Sequence, residues 1–110
     1  MSDRELMLRD KVANDQSSEG IAAAVELCTE FLFAREALEE AELILLEKVG
    51  LQSLRDAFTL ELTLGDLYIR MRENSRASRF LSIARSSSDG AIKQRANELL
   101  EKLKQTPPEL

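Results

Sequence analysis

Residues 59–86, TLELTLGDLYIRMRENSRASRFLSIARS, leave the chain few ways to fold. Apolar residues recur there at helical spacing on both sides of the polar break Arg72-Glu73-Asn74, which predicts two helices joined by a tight turn. Gly65 and Ala77 carry almost no side chain, so a neighbouring helix axis can approach closely at each. Leu64, Tyr68, Met71, Leu81 and Ala84 supply the apolar contacts around those gaps. Nothing in the stretch is a nucleophile with a base beside it. It reads as a packing hairpin, and the chain around it as all-α.

The flanking segments follow in order. Ser2-Asp3-Arg4-Glu5 has the form of a capping box, and Leu6, Met7 and Val12 give an apolar strip, so a helix is expected over residues 3–13. After a polar loop, Ser17 or Ser18 can cap a second helix that runs to about residue 34 through Ile21, Ala24, Val25, Cys28, Phe31 and Leu32. Residues 35–49 form the next, with Leu38, Ala41, Leu45 and Val49 inward and Gly50 as its C-cap glycine. Leu43, Ile44 and Leu46 widen its apolar arc beyond one face, which implies a second cover, either the N-terminal helix or another chain. The third major helix takes its stripe from Leu54, Ala57, Phe58, Leu64, Leu67, Tyr68 and Met71. Asn74 is placed to cap the fourth, which passes through Ala77, Phe80, Leu81 and Ala84 to residue 86. Asp89 caps a last helix, apolar only at Ile92, Ala96, Leu99, Leu100 and Leu103, before Thr106-Pro107-Pro108 stops it. Such a one-sided helix suits the end of a stack.

Leu64-Gly65-Asp66-Leu67-Tyr68, followed by Ala77, Leu81 and Ala84, resembles the tetratricopeptide repeat, a helix–turn–helix unit of about 34 residues. Three places depart from that pattern. Glu61 stands where a bulky apolar residue is usual, Arg72 where the turn has Gly, and Asp89 where the unit closes on Pro. Residues 18–49 look like a weaker copy. Laying Ala41 over Ala77 sets Cys28 over Leu64, Thr29 over Gly65, Leu32 over Tyr68 and Leu45 over Leu81. The organisation this implies is an N-terminal helix (1–15), then a helical domain (16–105) of two hairpins (18–49 and 53–86) with a capping helix (89–105), then a tail (106–110). The resemblance further implies that the antiparallel hairpins stack as a short right-handed solenoid.

Composition narrows the function. The 110 residues are enough for one small domain with a modest core. No apolar run approaches a membrane span, and the charged N-terminus lacks a signal-peptide core, so the cytoplasm is the expected location. The chain has no His, which removes His-based acid–base catalysis, Ser-His triads and the usual zinc sets. Cys28 is single and sits on an apolar face, as an inert buried thiol would. Glu36, Glu39, Glu40, Glu42 and Glu47 point around most of one helix, which fits a solvated face better than a metal site. Ser86 to Ser88 read as an ordinary loop. No phosphate-cradling glycine pattern occurs, and Arg70, Arg72, Arg76 and Arg79 lack an exposed aromatic platform for bases. No cofactor, metal or nucleic acid is expected.

Charge is divided along the chain. Residues 15–50 carry a net −7 and residues 51–95 a net +3. In tetratricopeptide-repeat proteins the first helix of each hairpin lines a groove that takes a helical or extended peptide. Carried over position by position, the resemblance names Glu26, Glu30 and Phe33 from the first hairpin, and Leu62, Asp66, Ile69 and Arg70 from the second. Three carboxylates among apolar residues favour a basic amphipathic helix and disfavour an acidic C-terminal tail. The leading expectation is thus a non-catalytic adaptor or chaperone, stabilised by a partner or by self-association. Two variants stay open: a small chaperone resembling those of type III secretion needles, and a homodimer pairing acidic half with basic half. An enzyme working through carboxylates alone is the remaining class.

Overall fold

The computed structural model describes residues 2–50 and 58–105, and among them every regular element is helical. The elements are α1 (Asp3–Asn14), α2 (Ser18–Leu27) continued by a π-helical turn (Cys28–Leu32), α3 (Leu38–Val49), α4 (Thr59–Arg70), α5 (Asn74–Ala84) and α6 (Gly90–Lys104). They gather into two compact units, Met1–Asp56 and Ala57–Leu110. In the first, α1 packs on α2, and α2 with its π turn packs on α3; in the second, α4, α5 and α6 pack on one another. The expected stripe residues Leu54 and Ala57, and the tail at 106–110, lie outside the described residues.

Both hairpins turn in the same way. At the end of the first, Glu36 N–H donates to the Phe33 carbonyl at 3.1 Å and Ala37 N–H to the Leu32 carbonyl at 2.9 Å. At the end of the second, Arg72 N–H donates to Ile69 at 3.0 Å and Glu73 N–H to Tyr68 at 2.9 Å. Glu36 and Arg72 hold φ of 57° and 61°. Paired bonds of this kind around one left-handed residue form a Schellman turn, which occupies carbonyls the helix end would otherwise leave bare. Every partner in one hairpin lies 36 residues from its counterpart in the other. Beyond the turn, Ala41 matches Ala77 and Leu45 matches Leu81, all four fully buried.

The register changes on the near side of the turn. In the π turn Phe33 N–H reaches back five residues to Cys28 at 2.8 Å, so that turn holds one residue more than an α-helical one. Upstream of it the offset becomes 37, and the buried pair Leu27 and Cys28 lies over the buried pair Leu64 and Gly65. This corrects the sequence alignment, in which exposed Thr29 stood over Gly65. The same period reaches the outer helices. The N-caps Ser17 and Asp89 are 72 residues apart, and Ala24 and Leu27 are buried in α2 as Ala96 and Leu99 are in α6. Glu5 and Val12 of α1 take the buried positions of Ala41 and Lys48 in α3.

At Gly65 α4 and α5 approach closely. A Cβ at Gly65 would collide with Cγ of Leu81, 2.5 Å away, and Leu81 is itself fully buried. Gly20 is constrained similarly, since a Cβ there would strike the Asp15 carbonyl. Caps explain the helix starts: Ser2 Oγ accepts from Glu5 N–H at 3.1 Å, and Asp89 Oδ1 accepts from Ala91 and Ile92 at 2.9 and 3.3 Å.

Several expectations need correcting. α3 begins at Leu38, not at 35, because the turn consumes Arg35 and Glu36. Asn74 is the first residue of α5, with Glu73 at the cap position, and α5 ends at Ala84. Gly50 keeps φ −70°, so its place needs no glycine. On α1 the inner face is Glu5, Leu8 and Val12, while Leu6 and Met7 point outward. On α3 it is Ala41, Leu45 and Lys48, while Val49 is exposed.

Gly65→Ala should lower stability by about 1 kcal/mol, overpacking against Leu81 exceeding the gain in helix propensity. Arg72→Gly should raise it by about 0.5–1 kcal/mol by relieving the left-handed backbone. Denaturant melts followed through Tyr68, the chain's one tyrosine, would read both changes. Equal midpoints for the three proteins would contradict this account of the second hairpin.

Candidate partner-binding surface

In the first unit the proposed groove carboxylates share one arginine. Arg4, on α1, reaches Glu26 at 3.0 Å and Glu30 at 3.1 Å, all three side chains being about half exposed. The two glutamates stand four residues apart on the outer face of α2 and its π turn, so one guanidinium can span both. Phe33 is different: it is only 4% exposed and belongs to the core. The π turn before it rotates its side chain relative to a regular helix, a shift the sequence does not display.

In the second unit, Leu62 and Ile69 are half-buried on α4. Asp66 accepts from Arg70 one turn later at 3.2 Å. On the neighbouring side Tyr68 stacks on Phe80, centroids 5.6 Å apart and planes 20° from parallel, with Arg76 5.7 Å above the Tyr68 ring. The six candidates other than Phe33 thus keep some exposure. The structure brings Glu26 to Glu30 and Asp66 to Arg70, each pair within its own unit.

Two charged residues that sequence reasoning passed over hold α1 in place. Glu5 is 1% exposed, and Arg35 grips it with two bonds of 2.6 and 2.9 Å. Arg9 adds a third at 3.1 Å and continues to both oxygens of Glu40 at 3.2 Å. The Arg35 bonds, helped by Arg9 and opposed by burial, pull the Glu5 carboxyl down from 4.5 to about 2. Lys48, fully buried on α3, donates to the carbonyls of Val12 at 2.7 Å and Asp15 at 3.2 Å, which satisfies the C-terminal end of α1. The signal for Lys48 was its spacing, seven residues after Ala41 on the inner stripe. Glu5 was hidden by its capping-box position, which suggests a bond to the Ser2 backbone and not to two arginines.

Cys28 is fully buried, and burial, with the charge of Glu40 second, pushes its thiol up to about 12. It is protonated at neutral pH and a poor nucleophile. Among the described residues no three His, Cys, Asp or Glu side chains are grouped to hold a metal ion, and no helix is long and apolar enough to cross a membrane. Compared with family models, with curated proteins and with solved structures, the chain matches none.

The Glu5 clamp sets a pH dependence. Its folded pKa lies below the ordinary value, so the stability it adds is complete above about 4.5 and is lost as pH falls toward about 2. Acid titration of helicity should therefore show loss across that window, and Glu5→Gln should remove the part due to this carboxyl. Superimposable acid titrations of the two proteins would contradict the assignment.

Proposed function

We propose that this chain is a non-catalytic protein-interaction module of the cytoplasm, an adaptor or chaperone. Its two hairpins stack in the manner of tetratricopeptide repeats, with α6 as the cap, and it holds a helical segment of another protein. The contact residues are Glu26 and Glu30 on α2 and Leu62, Asp66, Ile69 and Arg70 on α4. One observation carries the reading: the half-exposed carboxylates Glu26 and Glu30, on α2 and its π turn, already take the arginine of a neighbouring helix, Arg4 of α1, which reaches both. A face whose paired carboxylates hold the arginine of one helix has the charge to hold that of another. The matched Schellman turns, 36 residues apart, support two copies of one repeat unit. A buried, protonated thiol and a sequence without histidine argue for binding over catalysis.

Affinity capture with the wild type, Asp66→Lys and Ile69→Glu tests the reading. The expected result is one specific partner whose recovery falls about tenfold in both variants, about 1.4 kcal/mol of binding free energy, with helicity unchanged. Equal recovery by all three proteins would dispose of the α4 surface.

A further inference from the structure

α3 has two faces of opposite use. Its inner stripe of Ala41, Leu45 and Lys48 is fully buried, and the Lys48 ammonium is committed to α1. On the other side Leu43 and Leu46 sit one turn apart, 71% and 42% exposed, with Val49 at 40%. Glu39, Glu42 and Glu47 border them, Glu39 and Glu47 without an ion pair among the described residues. α1 does not cover this side, although a second cover is what the wide apolar arc implied.

The second hairpin shows that its leucines are not a requirement of the turn. At a spacing of 36, Leu43, Leu46 and Val49 correspond to Arg79 and Ser82 of α5 and to Arg85 at its C-cap, all exposed. The same backbone folds there with polar residues, so the apolar face of α3 is specific to the first hairpin.

We propose that the outward face of α3 docks a basic amphipathic helix of a partner protein. The inference goes beyond the α2–α4 reading, since it rests on other residues and stands whether or not that surface is used. Charge selects the occupant. Residues 1–56 carry a net −7 and residues 57–110 a net +2. A second copy docking through the same face would set Glu39, Glu42 and Glu47 against their own counterparts. Docking through the basic half of a second copy offers only +2, while each chain carries −5 in all. A helix with an apolar stripe bordered by Lys or Arg meets neither obstacle, and it packs on Leu43 and Leu46 as one helix ridge packs on another.

The test uses the full chain and two labelled helical peptides with leucines at i, i+3, i+4 and i+7, one bordered by Lys and one by Glu. Fluorescence anisotropy should show saturable binding of the Lys/Leu peptide with a Kd of about 10 μM, and none of the Glu/Leu peptide. Leu43→Ser/Leu46→Ser keeps every charge and alters only exposed positions, so it should keep its helicity and bind at least about tenfold more weakly. Glu39→Lys/Glu47→Lys should weaken the Lys/Leu peptide further still, and Ser82→Ala, at the exposed position of α5 that matches Leu46, should bind like the wild type. Undiminished binding by the serine variant would show attraction by charge alone and overturn the proposal. Loss on Ile69→Glu would move the site to α4, and a wild-type dimer abolished by Leu46→Ser would give the face to a second copy.

Discussion

Each hairpin hinges on one residue bent into the left-handed region, Glu36 in the first and Arg72 in the second. Side chains resist that conformation, at a cost of order 1 kcal/mol, so something must hold it there. The holding is done by the five-back bonds from Ala37 to Leu32 and from Glu73 to Tyr68. Because these bonds fix where the chain leaves one helix, they also fix where the next begins, at Leu38 and at Asn74. The buried positions that follow, Ala41 with Leu45 and Ala77 with Leu81, come at the same distance from each turn. The small residues are consequences of this geometry. Gly65 is bare because the turn brings Leu81 against it.

α1 is held by a different kind of force. A carboxylate and an ammonium taken fully out of water destabilise a fold unless each is well paired, and here each is. Glu5 has two arginines, and Lys48 has two carbonyls at the end of α1. Sliding α1 along α2 by one residue would strip both at once, so these groups specify register as much as they add stability. The Arg4 bridges to Glu26 and Glu30 are of another character, about half exposed to solvent and open to exchange. A partner helix could take over that arginine's position without disturbing the Glu5 clamp.

Much of this was legible in the residues. The helical period, the caps at Ser2 and Asp89, the Ser17-Ser18 start of α2, and the close approach at Gly65 are local or pairwise matters that spacing reveals. The spacing of 36 also came from sequence, through Ala41 and Ala77. The π turn did not, since nothing in Cys28-Thr29-Glu30-Phe31-Leu32 favours a five-back bond over a four-back one. Its effect on register misplaced Thr29 and put Phe33 on the groove side when it is core. Leu6 and Met7 were expected inside on hydrophobicity, yet the inner face of α1 is set by Glu5, whose burial depends on Arg35 thirty residues away. Pairing across that distance leaves no trace in local composition.

Two copies of one turn with different outer surfaces invite a physical question about what was free to vary. Two inner positions were not: Ala41 and Ala77, and Leu45 and Leu81, are the same residues in the two hairpins, while the third is Lys48 in the first and Ala84 in the second, both buried. The outward positions were, and they diverged in charge and polarity together, to Leu43, Leu46 and Glu47 on α3 and to Arg79, Ser82 and Ile83 on α5. Had α3 only to face water, arginine and serine would have served it as they serve α5. Exposed leucine is commonplace when single; two leucines one turn apart with glutamates around them make a continuous apolar, acidic surface. The two hairpins thus carry unequal surfaces, the second closing on α6 and the first keeping an acidic, apolar side turned outward.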